Sequence, residues 1–241
     1  MLLNFRHRVL FVRPAIVGGT SIEMFLQGLF WPSEPVEHEQ SRKVFRDGLV
    51  TARMQPKAAP TTVERIKSRC WQLRYPHLTG MKSVNIEHLY NHVPPKKLKA
   101  ALGERLWGNL FRVTVVRNPY DVEVSRFFWR NRFRLPPDLG AGRKEFEAFV
   151  QSVGPARTNV AVIDSIEEFD MVIDFTRIKS DLDFLVDRLE LDHNHKPALP
   201  QEKSGLRPGW ASDYRDLYTP QSKAVVTRKY EPQIEKMGYN F

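Results

Sequence analysis

A short apolar run, a pair of glycines and an amphipathic pattern follow one another within Val9–Phe30, and they constrain the fold more than any other stretch. Val9–Val12 is unbroken apolar sequence, which is typical of a strand buried on both faces. Four apolar residues then recur at helical spacing: Ile22, Phe25, Leu26 and Leu29. This order predicts a strand, a tight glycine turn and a helix.

The turn itself, Gly18-Gly19-Thr20-Ser21, suits an anionic group. Glycines let the backbone turn tightly and approach a ligand closely. The first turn of a helix offers N–H groups and the positive end of the helix dipole, which favour phosphate. A purely structural interpretation also fits, because Thr20 and Glu23 have the spacing of a capping box. The turn alone leaves both interpretations open.

The composition favours one globular domain spanning residues 1–241, with 41% hydrophobic and 27% charged residues. A formal net charge of +9 favours anionic ligands without identifying them. Cys70 is the only cysteine, so the sequence offers no intrachain disulfide or cysteine-based zinc site, and we expect no metal. No apolar stretch approaches the ~18 residues of a membrane helix, and no segment of the given sequence resembles a secretory signal. We therefore expect a soluble, cytoplasmic protein without a membrane span.

Hydrophobic patterns elsewhere predict further strands over Leu110–Val116 and Asp170–Phe175. Helices are predicted over Thr61–Cys70, Pro94–Leu102, Val122–Trp129, Phe146–Val150, Asp181–Leu191 and Thr219–Lys236. Three segments read as loops: Trp31–Pro60, Asn131–Arg143 and His193–Asp213. Strands separated by helical segments predict an α/β fold, a three-layer sandwich with a mainly parallel central sheet.

Polar residues follow the second of these strands. Arg117 stands at the predicted carboxyl end, where open parallel sheets bind ligands. Ser125 lies in the next helix, one turn past its entry, so its hydroxyl can point back toward the strand end. Without further evidence, Arg117 could instead be an ordinary surface arginine and Ser125 a solvated helix serine, with no ligand bound.

Taken together, the motifs resemble the sulfotransferases that use 3′-phosphoadenosine 5′-phosphosulfate (PAPS), particularly bacterial and carbohydrate-type members. The first loop of that family reads approximately PKTGGTS, and this chain has Ala15-Ile-Val-Gly-Gly-Thr-Ser21 in its place. The second family motif, VRNPxDxxxS, is matched by Val116-Arg-Asn-Pro-Tyr-Asp121 with Ser125. The resemblance extends over nearly the whole chain through His92, Leu102-Gly103, Trp107, Tyr214, Tyr218, Val225, Tyr230 and Gly238–Phe241.

The resemblance implies a P-loop-like architecture that binds PAPS as donor and 3′-phosphoadenosine 5′-phosphate (PAP) as product. It places the 5′-phosphosulfate at the backbone N–H groups and hydroxyls of Val17, Gly18, Gly19, Thr20 and Ser21. It places the 3′-phosphate at Arg117 and Ser125. A late loop with Lys203, Ser204 and Arg207 occupies the region that relatives fold over the nucleotide, although a solvated basic linker is the alternative there.

The acceptor implied by the family is a hydroxyl of a glycan or a small metabolite. His92 is the candidate base that takes the proton of that hydroxyl, with His77 and His88 as competing candidates. The lysine that supports the bridging oxygen in the family is replaced here by Ile16, and Arg13 lies near enough in sequence to compensate. A second departure is Asp174–Arg177, where many relatives have an RFEN-like run.

These features predict a PAPS-dependent sulfotransferase, with a PAPS- or PAP-binding protein of weak or no transfer activity as the alternative. A P-loop NTPase is disfavoured because GxxxxGK[ST] is absent and no lysine follows Gly19. Nucleic-acid binding is disfavoured because the basic residues are scattered and lack an aromatic stacking motif, so we expect no nucleic-acid partner.

Overall fold

One six-stranded sheet organises the described residues, which are 1–36, 43–51, 61–75, 89–200 and 204–241 of the computed structural model. The strands are β1 (Leu2–Asn4), β2 (Val9–Val12), β3 (Lys43–Val44), β4 (Gly48–Val50), β5 (Phe111–Val116) and β6 (Met171–Asp174). Their order across the sheet is β3-β4-β1-β2-β5-β6. The strands predicted around β2, β5 and β6 are confirmed.

The sheet is mixed, so the expectation of a mainly parallel sheet is wrong. β2, β5 and β6 pair in parallel, whereas β3, β4, β1 and β2 pair antiparallel. The reason lies in the connections. Residues 5–8 and 45–47 are short turns that can join only antiparallel neighbours, while a parallel pair needs a long crossover.

Nine helices are present in the described residues: α1 (Gly19–Phe30), α2 (Thr62–Arg74), α3 (Pro95–Leu102), α4 (Glu104–Gly108), α5 (Pro119–Arg130), α6 (Leu139–Ser152), α7 (Arg157–Asp164), α8 (Ile178–Arg188) and α9 (Pro220–Met237). The boundaries of α2 and α9 follow from local chemistry. Thr61 and Glu64 form a complete capping box, and Thr219 caps the helix that Pro220 opens.

Helices cover both faces of the sheet, which makes the α/β class and the layered packing evident. Val9 and Phe11 of β2 point into one core with residues of α1, α5, α6, α8 and α9. Leu10 and Val12 point into the other core with residues of α2, α3, α4 and α7. This alternation is the period of two that a strand imposes.

Several elements differ from the expectations. β3 and β4 lie in the described part of Trp31–Pro60, which was expected to be irregular. α6 begins inside the basic segment that was expected to be a loop, and β1, α4 and α7 were not predicted. The strands β1, β3 and β4 have two or three residues each, and such strands are defined by their partners rather than by their own periodicity.

The parallel part of the sheet positions the candidate site. Val12 of β2 is level with Thr114 of β5, and Val116 of β5 is level with Asp174 of β6. The chain segments that leave these three strands therefore emerge at one edge. They are the glycine loop, the turn that begins at Arg117 and the turn that begins at Phe175.

Candidate functional site

The glycine loop enters α1 through a left-handed residue. Gly18 is the N-cap residue, with φ 73° and ψ 6°, and as a glycine it provides no side-chain cap for the helix. The capping box expected from Thr20 and Glu23 is therefore absent, because Gly18 occupies the N-cap position and Glu23 is buried in an ion pair. The first N–H groups of α1 have no intrahelical acceptor, which is the feature that anions exploit at helix starts.

Both loop glycines are required by close contacts. A Cβ on Gly18 would lie 2.6 Å from Cε2 of Phe175, and a Cβ on Gly19 would lie 2.2 Å from Cγ of Arg13. Phe175 belongs to the turn after β6, and Arg13 directly follows β2. The loop is thus clamped between an aromatic ring and the stem of an arginine.

Arg13 lies beneath this loop and is 1% exposed. Its Nη1 is 3.4 Å from the Thr20 hydroxyl and 3.5 Å from Oε1 of Glu23. The other carboxylate oxygen of Glu23 is 2.7 Å from the α-amino group of Met1. The carboxylate balances the buried guanidinium, and the contact with Thr20 brings a positive charge to the first turn of α1.

Ile16 has φ 64°, in the left-handed region that a β-branched residue rarely adopts. Its carbonyl oxygen accepts a hydrogen bond of 3.3 Å from Nη1 of Arg117. The unusual backbone at Ile16 therefore turns a carbonyl toward the second motif and connects the two predicted halves of the site.

Arg117 and Arg207 flank one carboxylate, that of Asp121. Nε of Arg117 and Nη2 of Arg207 each donate to a separate oxygen of Asp121 at 2.6 Å. Nη2 of Arg207 also donates to the Ser125 hydroxyl at 3.0 Å. We call these four residues, Arg117, Asp121, Ser125 and Arg207, the arginine cluster. They come from the end of β5, from α5 and from the late loop.

Burial and charge pairing have opposite effects on the pKa values in the arginine cluster. Burial alone would raise the pKa of the Asp121 carboxyl, but the two guanidinium groups outweigh it and hold that pKa below its ordinary value. Burial lowers the pKa of the Arg117 guanidinium, and Asp121 opposes that shift. The Arg117 Cζ also lies 4.0 Å from the centroid of the Phe175 ring. Two cations around one anion leave a net positive cluster that can take a further anion.

His92 lies on the other side of Arg13. It has φ 63°, and its Nδ1 is 3.0 Å from the carbonyl oxygen of Arg13. A carbonyl oxygen only accepts, so Nδ1 donates this bond, and in the neutral form of the ring Nε2 is then the nitrogen that has no proton. This tautomer is the one that a proton acceptor at Nε2 needs.

The structure thus brings most of the predicted site residues to one edge of the sheet. Val17 and Ser21 are buried in the loop and its helix. Lys203, and the competing bases His77 and His88, lie outside the described residues.

Sequence reasoning missed the contacts that hold the loop from behind. The backbone N–H of Ala15 donates to the Thr158 hydroxyl at 3.1 Å, and Asn159 lines a small cavity with Val17 and Arg117. Both residues belong to α7, which was not predicted. The sequence could have indicated a site role for Asp121, because it is the aspartate of the second motif. The resemblance placed the loop of Arg207 over the nucleotide, but it did not indicate the direct contact of Arg207 with Asp121, 86 residues away.

Comparisons of the chain with protein-family models, with curated proteins and with solved structures gave no significant match. Among the described residues, no helix combines the length and apolar character needed to cross a membrane. The same residues contain no group of three or more histidine, cysteine, aspartate or glutamate side chains that could hold a metal ion.

Proposed function

We propose that the chain is a PAPS-dependent sulfotransferase that acts on a hydroxyl of a glycan or small metabolite. One observation carries the proposal: the arginine cluster and the glycine loop meet at the carboxyl edge shared by β2 and β5. Nucleotides bind at such edges in open α/β sheets. The two anion-binding features also match the two phosphorylated ends of PAPS.

The residues present fit this donor. The glycine loop leads into the start of α1, and the positive end of the helix dipole there suits a 5′-phosphosulfate. Arg117, Ser125 and Arg207 supply donors for a 3′-phosphate, and the planar guanidinium suits two oxygens at once. Bound PAPS would supply the activated sulfuryl group.

The chemistry left to this chain is alignment, charge stabilisation and one proton transfer. Sulfuryl transfer, like phosphoryl transfer, depends chiefly on positioning and on stabilising the leaving oxygen. Arg13 places a buried positive charge against the Thr20 hydroxyl, where the low dielectric strengthens its effect. His92, held through Nδ1, accepts the proton of the acceptor hydroxyl at Nε2.

A calorimetric titration tests the donor assignment. PAP should bind, and adenosine 5′-phosphosulfate, which lacks the 3′-phosphate, should bind more weakly. Arg117→Ala should weaken PAP binding, whereas the same change at Arg130, an exposed arginine at the far end of α5, should not. Binding of ATP or of an oligonucleotide in preference to PAP would contradict the proposal.

A second candidate, a PAP-binding protein of the same fold with little transfer activity, is favoured by Ile16. An aliphatic side chain cannot donate to the bridging oxygen, whatever the affinity of the loop for the nucleotide. Transfer of labelled sulfate from PAPS to a panel of hydroxyl acceptors separates the two. A protein that binds PAP but transfers no label is a binding protein.

A further inference from the structure

The helix α2 is fixed to the sheet by its inner face. Trp71 is buried, its Nε1 donates to the Phe45 carbonyl at 3.3 Å, and its ring centroid is 4.8 Å from that of Phe5. Lys67 adds a bond of 2.9 Å to the carbonyl oxygen of Val44. The helix is therefore a preformed part of the fold at the β3 edge, and no ordering is needed before its outer face binds a partner.

The outer face of α2 exposes apolar side chains. Val63 is 60% exposed, Ile66 57% and Leu73 89%, and Cys70 is exposed between them. The spacing i, i+3, i+7 and i+10 places these four residues in one line along the helix. We call them the apolar stripe of α2. Such a line normally faces a core, so its exposure points to a binding surface.

Basic residues border the apolar stripe on both sides. Arg65 and Arg69 lie along one border, and Arg74 lies along the other. Arg46, from the turn between β3 and β4, lines the same shallow depression as Ile66 and Leu73. The only acidic residue of α2, Glu64, is engaged in the capping box at its start. Within the described residues, this face is apolar along its centre and positive along its edges.

We propose that the outer face of α2 binds the surface of an anionic lipid bilayer. A helix of 13 residues is about 20 Å long, too short to span the apolar layer, so it would lie in the membrane plane. The stripe then enters the boundary of the acyl chains, and the longer arginine side chains reach the anionic headgroups on either side. This proposal is independent of the nucleotide site.

The charge distribution argues against two other occupants. A second copy docked through the same face would bring two basic surfaces together, each with Arg65, Arg69 and Arg74, because a two-fold interface pairs a surface with itself. A nucleic acid would match the basic edges but would leave Ile66 and Leu73 without an apolar partner. A bilayer matches both the apolar stripe and its basic borders, because its apolar layer lies directly beneath its anionic headgroups.

Flotation of the full chain with vesicles tests the proposal. We expect binding to 7:3 phosphatidylcholine–phosphatidylglycerol vesicles, with at least about tenfold weaker partitioning to pure phosphatidylcholine and in high salt. The double variant Ile66→Ser/Leu73→Ser should lose about tenfold or more, because its apolar contacts with the lipid are removed. Arg69→Glu/Arg74→Glu should lose as much while it keeps the stripe. Phe184→Ser, another exposed apolar residue at 59%, lies on α8 and should bind like the parent.

Four results would overturn the inference: no binding to anionic vesicles, equal binding to neutral ones, an unchanged affinity in both double variants, or an equal loss in Phe184→Ser. Light scattering after gel filtration adds a further check. A dimer that Ile66→Ser/Leu73→Ser abolishes would assign the face to a second copy instead. All variants change exposed residues away from the glycine loop, so an unchanged melting temperature will confirm that they fold.

Discussion

Asp121 neutralises part of the arginine cluster in the free protein, and the Asp121→Asn substitution tests this role. The aspartate accepts one bond of 2.6 Å from each of Arg117 and Arg207. Asparagine is nearly isosteric, but it keeps one acceptor oxygen and loses the charge. The variant should therefore be less stable as a free protein while its site becomes more positive toward a phosphate.

The magnitude follows from the bonds that are lost. One charge-assisted hydrogen bond contributes about 1.5–3 kcal/mol, and the partial exposure of the cluster favours the lower end of that range. A loss of about 2 kcal/mol lowers the melting temperature of a chain of this size by roughly 4–8 °C. Removing a negative charge within a few ångströms of a bound phosphate should tighten PAP by about 1 kcal/mol, or about fivefold in Kd.

The sign of the pH dependence adds a second readout. The pKa of Asp121 is lowered in the folded protein, so its contribution is complete above the unfolded pKa of about 3.9. That contribution is lost as the pH falls from there through the folded pKa. The difference in melting temperature between the parent and Asp121→Asn should therefore stay constant from pH 7 to about pH 4 and shrink below that pH.

Differential scanning fluorimetry with and without PAP, followed by calorimetric titration, measures both effects. We expect a lower melting temperature without ligand and a larger stabilisation by PAP in Asp121→Asn. Weaker PAP binding by the variant would refute the reasoning, because it would mean that Asp121 orders the two arginines for the phosphate instead of competing with it.

The other predictions concern the same loop and cluster. Arg117→Ala should weaken the binding of PAP by about 1.5–3 kcal/mol in calorimetry and leave the binding of adenosine 5′-phosphosulfate nearly unchanged; equal losses of affinity for both ligands would show that Arg117 does not bind the 3′-phosphate. Ile16→Gly should increase the free energy of unfolding by about 1–2 kcal/mol and so raise the melting temperature, because glycine adopts the left-handed backbone without steric strain; a lower melting temperature would contradict this. Gly19→Ala should lower the melting temperature and PAP affinity together, since its Cβ would meet the stem of Arg13, and unchanged values would show that the loop can shift.

The sequence predicted the parts of the site that are encoded locally. The apolar run before the glycine loop and the run before Arg117 are strong strand patterns, and each is followed by a periodic helix. Placing both loops at one edge required only the rule that parallel strands end together. The two loops lie at one edge even though the sheet is mixed, because β2 and β5 belong to its parallel part.

The remaining features depend on contacts between distant residues. β3 is a strand because Lys43 and Val44 pair with Val50 and Leu49, and two residues carry no period of their own. The side chain of Arg13 turns inward because Glu23 offers a buried carboxylate there. The residues next to Arg13 in the sequence do not show whether its side chain is buried or exposed.

Single-turnover transfer of labelled sulfuryl from PAPS to an acceptor tests the central claim most directly, with the parent, Ile16→Lys and Arg13→Ala compared at saturating donor. We predict transfer by the parent and a gain of about 10²–10³ in rate for Ile16→Lys, the effect of one donor placed directly at the bridging oxygen. We expect little change in PAP affinity for this variant. The charge of Arg13 reaches the loop through the Thr20 hydroxyl, so Arg13→Ala should lose activity as well. No transfer by any of the three, or equal rates for all three, would contradict the account of this loop.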